Sequence, residues 1–194
     1  MEKKVTDLTK QEIAKMFPVV LAKHNIHWKV IYMSEKELLL KALGTLILRI
    51  EHFGSTSIAN IKAKYTIDIL IEISEENNFK NVIVNKLRAI GYDYILQNEN
   101  NSKHMVFVKG YDATGEKGQT FHIHMGPSNH IIWERIYFRD YLIEKPELAE
   151  RYESLKIILA EKYKFDRVGY RIAKTDFIQK ITEEAKRYYR SHDR

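Results

Sequence analysis

The nine residues "YTIDILIEI", Tyr65 to Ile73, constrain this chain more than any other stretch. Ile67, Ile69, Ile71 and Ile73 alternate, which sends all four to one face of a β-strand and predicts a core beneath it. Asp68, Leu70 and Glu72 then share the opposite face. A carboxylate buried there without a partner costs on the order of several kcal/mol, so Asp68 must be solvated, hydrogen-bonded or bound to a cation. Upstream, "EHFGSTS" closes another strand in a Gly54-Ser55 turn. Glycine lets a ligand approach the backbone, and successive N–H groups with a serine hydroxyl can cradle phosphate oxygens. A phosphate cradle beside a carboxylate able to hold Mg²⁺ suits nucleotide phosphoryl transfer.

The flanking sequence predicts an α+β frame. Ser34 and Glu37 have capping-box spacing and open the helix "EKELLLKALG", which stops near Gly44. "TLILRIEHF" reads as the strand before the glycine turn. "NFKNVIVNKLRAIG" is helical and ends at Gly91. "YDYILQ", "HMVFVKG" and "QTFHIHMG" are further strands, and "GYDATGEKGQ" reads as a turn or mobile segment between the last two. Three helices follow: "HIIWERIYFRDYLIEK", one entered through Pro146, and one over about Val168 to Tyr189. No Gly/Ser/Pro-rich linker divides the chain, so residues 1–194 are expected to form one domain. Its parts are an N-terminal helical extension (about 1–27), a sheet-containing core (about 28–130) and a C-terminal helical arm (about 131–194). The expected sheet is mixed, with helices on one side.

Composition excludes several chemistries. The chain has no cysteine, which removes disulfides, thiolate zinc sites and cysteine nucleophiles and suits a reducing cytoplasm. No window is apolar over the roughly 18 residues that a membrane span needs, and the N-terminus lacks a signal-peptide core. The net charge is +6, and from Arg151 onward 12 Lys+Arg less 7 Asp+Glu leaves +5 of it. Such a field favours anionic ligands. Arg171, Lys174, Lys180, Lys186, Arg187 and Arg190 offer a route to RNA, although interleaved acids also describe a solvated helix surface, and no base-reading module is present.

His122 and His124 lie two apart on a strand, so both imidazoles point the same way. Beside Asp68 they would make plausible ligation for zinc, manganese or iron. Alternatively one could accept or donate a proton, or the two could simply be hydrogen-bonded on a polar face.

An apolar-Gly-Ser group, twelve residues, then apolar-Asp-apolar resembles the signature of the nucleotidyltransferase superfamily. More closely, the chain resembles the GrpB-like family within it, whose phrase His-x-Gly-Ser-Thr-(small), followed by Ala-Lys-Pro-x-x-Asp, is matched by His52, Gly54, Ser55, Thr56, Ala63, Lys64 and Asp68. "FHIHM", "ERIYFRDYLIEKPELAERYESLK" and "GYRIAKTDFIQKI" are similar to later family segments, so the likeness runs from about Trp28 to Tyr189. Tyr65 replaces the family's proline, and Asn60 stands where the family has a glycine.

The resemblance implies a nucleotidyltransferase-like mixed sheet and metal-dependent transfer of a nucleotide from an NTP, with Mg²⁺ or Mn²⁺, to an acceptor. Asp68, His122 and His124 would be the catalytic and metal residues. Gly54, Ser55, Thr56, Lys64, Arg139 and Lys174 would hold phosphate. Active members of the superfamily commonly carry a second acid two residues after the first; here that position is Leu70. Two alternatives therefore stand beside transfer: a non-catalytic nucleotide- or phosphate-binding module, and a metal-dependent phosphoesterase built on the His-x-His strand.

Overall fold

The computed structural model describes residues 9–75, 79–96, 104–112 and 115–192. Five strands form one mixed sheet: β1 (Arg49–Phe53), β2 (Thr66–Glu72), β3 (Asp93–Ile95), β4 (Met105–Asp112) and β5 (Gly115–Gly126). Their order is β1-β2-β5-β4-β3; β2 and β5 run parallel and every other pair is antiparallel. The isoleucine alternation sets the orientation, because Ile67, Ile69 and Ile71 are fully buried in the main core.

Helices α2 (Trp28–Leu43) and α3 (Lys80–Ala89) cover that face. Trp28, Tyr32, Glu35, Leu39 and Leu43 form the buried stripe of α2, at the spacing of one helical face. The helix therefore begins at Trp28, and Ser34 lies inside it rather than capping it. Burying Trp28 and Tyr32 outweighs a local capping pattern. Strand β1 is also shorter than expected, because residues 44–46 turn as a 3₁₀ segment.

Helices cover the second face as well, which corrects the one-sided expectation. A short α1 (Lys10–Met16) precedes an irregular segment that bridges Ala22 to Ala63. Helix α4 (Glu134–Glu144) lies over β1: Ile132, Trp133 and Ile136 meet Phe53 and Leu70. Helix α5 (Pro146–Lys162) starts with its proline in the first turn, as expected. The final predicted helix is two, α6 (Arg167–Ile172) and α7 (Thr175–His192), with Lys174 at the break. The expected loop between β4 and β5 is largely paired strand, with register out to Asp112 and Gly115. Among the described residues no helix is long and apolar enough to cross a membrane.

Candidate functional site

The site lies on the second face, where β2 and β5 run side by side. Asp68 pairs in register with His122, and Leu70 with His124, so alternation directs both imidazoles to the face of the carboxylate. His122 Nδ1 stands 3.6 Å from Asp68 Oδ1. One ligand atom from each of Asp68, His122 and His124 can be chosen so that all lie within 4.8 Å of one another. Leu70 is fully buried against Phe53 and Ile132, so an apolar wall occupies the position of the second acid. Glu72 lies beyond it, paired in register with Arg49.

The glycine turn is built around this carboxylate. Gly54 adopts φ +73° and ψ −175°, a conformation essentially restricted to glycine. A Cβ there would stand 2.3 Å from Asp68 Oδ2. The turn then bends through Ser55–Ser57, and the Ser57 hydroxyl donates to Gly54 O at 2.6 Å. Ser55 hydrogen-bonds the phenol of Tyr152.

Each imidazole has a partner on its far nitrogen. Tyr111 hydroxyl and His122 Nε2 are hydrogen-bonded at 2.8 Å, and His104 Nε2 and His124 Nδ1 at 3.1 Å. Phe53 meets the His124 ring edge-on at 5.6 Å between centroids.

Cations dominate the surroundings. Lys64, Arg135 and Lys174 act on Asp68, Arg167 on His122, and Arg171 on His124. Burial nevertheless raises the Asp68 carboxyl above its ordinary value, with the three cations opposing that shift. Burial and neighbouring cations push His122 down to about 3 and His124 well below its usual range. Both shifts favour the neutral imidazole, the form that binds a metal ion. Burial also lowers Lys174 to about 7, assisted by Lys64.

Two expected phosphate ligands are engaged elsewhere. Thr56 is buried; its hydroxyl donates to Thr66 O at 3.1 Å and contacts His52 Nε2 at 3.0 Å, so it ties the turn to β2. Arg139 donates to Glu51 Oε2 at 2.9 Å, His52 O at 2.7 Å and Asp140 Oδ1 at 2.7 Å, a structural brace. Gly54 lies against Asp68, Ser55 hydrogen-bonds Tyr152, and Lys64 and Lys174 act on the Asp68 carboxylate, Lys174 with its ammonium 4.2 Å from the Tyr170 ring centroid. Arg135, Tyr111, His104 and Tyr152 are the residues that sequence reasoning missed. The RNA candidates are divided: Arg171 acts on His124 and Lys174 on Asp68, while Lys186 pairs with Glu134 and Glu183.

The family model described as GrpB protein matches residues 18–184. The chain belongs to the GrpB family. A GrpB relative from Alkalihalophilus pseudofirmus, the "Glutamate-rich protein GrpB", is 35% identical over 167 residues, covering 86% of this chain and 95% of the relative. The UPF0157 protein YqkA of Bacillus subtilis is 33% identical over 166 residues, which is 85% of this chain but 46% of YqkA. Among solved structures, the conserved protein GrpB from Enterococcus faecalis superposes with a TM-score of 0.75 at 30% identity, covering 88% of this chain and 99% of that one. The GrpB match thus spans the sheet and every residue of the cleft described above.

Proposed function

We propose that the cleft binds the phosphate chain of a nucleoside triphosphate and transfers the nucleotidyl group to an acceptor hydroxyl. The observation that carries this reading is the convergence of Lys64, Arg135 and Lys174 on the single carboxylate Asp68, with Arg167 and Arg171 acting on the neighbouring His122 and His124, beside the turn at Gly54-Ser55. Such an excess of positive charge around one carboxylate suits a polyanion. The order of the Gly-Ser turn and the aspartate strand supports a nucleotidyltransferase-type site.

In the reaction, an acceptor oxygen bonds to the α-phosphorus, the bond to the bridging oxygen breaks, and pyrophosphate leaves. The acceptor proton passes to solvent. Lys64, Arg135 and Lys174 hold the phosphates and neutralise charge on the departing group, a role of positioning and electrostatics. Ser55 and the turn's N–H groups orient the chain. A pair of Mg²⁺ ions does not fit the residues present, because Leu70 takes the second acid's position.

Calorimetric titration of the four NTPs and of inorganic tripolyphosphate, with pyrophosphate release measured in parallel, tests the reading. Saturable NTP binding weakened by Arg135→Ala, with pyrophosphate release abolished by Asp68→Asn, is expected. Failure of all four NTPs and of tripolyphosphate to bind would refute it. Binding without any pyrophosphate release would favour the non-catalytic module, a reading to which the missing second acid lends support.

A further inference from the structure

The mismatch between this donor set and a Mg²⁺ pair is informative in itself. Mg²⁺ demands near-octahedral oxygen ligation and is reluctant to give up water, so sites built for it are carboxylate-rich. Here the face offers one carboxylate and two imidazoles, and Leu70 and Phe53 close the side from which another acid would come. We infer that Asp68, His122 and His124 form a single site for a divalent transition ion of the zinc, cobalt, manganese or iron kind, which Mg²⁺ does not fill. The inference concerns the cleft of the proposed transfer but holds whether or not that reaction occurs there.

The geometry assigns the ligating atoms. His122 directs Nδ1 towards Asp68, 3.6 Å from Oδ1, while its Nε2 is held by the Tyr111 hydroxyl at 2.8 Å. His124 uses Nδ1 for His104 at 3.1 Å, which leaves Nε2 for an ion. The ligands are therefore His122 Nδ1, His124 Nε2 and a carboxylate oxygen of Asp68. Hydrogen bonds to the far nitrogens of ligating imidazoles orient the rings and set their tautomers, and they are a regular feature of sites that bind such ions tightly. Metal–ligand lengths of about 2.0–2.2 Å would draw the donors closer than their present spacing.

The rings have little freedom to turn away. His104 stacks on His124 with centroids 5.3 Å apart, Phe53 meets it from the edge, and Tyr111 lies 5.6 Å from His122. All three ligands come from adjacent parallel strands in direct register rather than from loops. A rigid three-ligand face leaves further coordination positions open, as in catalytic rather than structural metal sites. Lys64, Arg135 and Lys174 act on the Asp68 carboxylate, so an anionic oxygen is the ligand that would best complete the shell.

The test uses the full chain, dialysed against chelator and titrated with metal alone. One equivalent of Co²⁺ should bind and produce visible d–d absorption, and Zn²⁺ should displace it. A thousandfold excess of Mg²⁺ should leave the spectrum unchanged. Asp68→Ala, His122→Ala and His124→Ala should abolish the signal, whereas the remote His27→Ala should keep it. Tyr111→Phe, which removes only one hydroxyl, and His104→Ala should each weaken Zn²⁺ binding by about 10–100-fold, the usual effect of losing an outer hydrogen-bond partner. Absence of Co²⁺ uptake by the wild type, displacement by Mg²⁺, or unchanged affinity in Tyr111→Phe and His104→Ala would overturn the assignment. Because no nucleotide is present, a failure here is distinguishable from a failure of NTP binding.

Discussion

Replacing Gly54 by alanine is the most direct probe of how the glycine turn and Asp68 depend on each other. The residue sits at φ +73°, ψ −175°, where a side chain costs roughly 1–3 kcal/mol in backbone strain. The added Cβ also meets Asp68 Oδ2 at 2.3 Å and Asp68 Cβ and Cγ at 3.0 Å, so the carboxylate must swing away or the turn must open. Adding that displacement gives a total of roughly 2–4 kcal/mol. For a chain of this size each kcal/mol lowers Tm by about 2–4 °C, so thermal melting followed by circular dichroism should report a fall of roughly 4–16 °C.

The clash separates from the strain in a double-mutant cycle. In an Asp68→Ala background the carboxylate is gone, and Gly54→Ala should cost the backbone part and the 3.0 Å approach to the retained Cβ at position 68. A coupling of about 0.5–3 kcal/mol is expected for groups in such contact. If Gly54→Ala melts within a degree of wild type, or the cycle shows no coupling, the turn is not built around Asp68 and the reasoning fails.

Three further outcomes are expected. Lys174 is held near 7 by burial, and a bound polyphosphate favours its charged form, so binding between pH 7 and 10 should take up a proton; calorimetry of tripolyphosphate in buffers of different ionisation enthalpy measures this, and Lys174→Met should remove the uptake. Lys156 is buried with its ammonium on Lys62 O and a pKa lowered to about 7 from 10.5, chiefly by burial. The unfolded chain then binds the extra proton between those values, so stability should rise from pH 7 towards pH 10 in urea titrations, with a shallower slope in Lys156→Met. Arg139→Ala removes the brace on Glu51 and His52 and should cost roughly 1.5–3 kcal/mol in denaturant unfolding, while metal uptake at Asp68 persists.

Much of the site was legible because it rests on period-two alternation. Asp68 opposite the isoleucines, and His122 with His124, are local readings that the structure keeps. Their adjacency was not legible: it requires β5 to lie parallel against β2, a pairing between segments more than fifty residues apart. Arg139 and Arg135 show the limit on a helix. They are four apart, and the sequence favoured Arg139, yet Glu51 engages Arg139 and Arg135 is the one that acts on Asp68. His104 shares the alternation of Val106 and Val108, but only the β4–β5 register connects it with His124. The split between α6 and α7 carries no proline or glycine at the break, so local pattern predicts one continuous helix.

The β2–β5 pairing also has a kinetic consequence. Strands β1 and β2 form one antiparallel unit and β3, β4 and β5 another, and the parallel seam is where the two units join. Parallel pairing of distant segments carries a large loop-closure entropy and is slow to form. Asp68 lies on one side of that seam and both histidines on the other, so the ligand set does not exist until the halves have zipped together. An ion bound across the seam would act as a clasp on the finished fold, adding to native stability by mass action. Its main effect would be to slow unfolding rather than to hasten folding, because the ligand set is complete only once the two strands have paired.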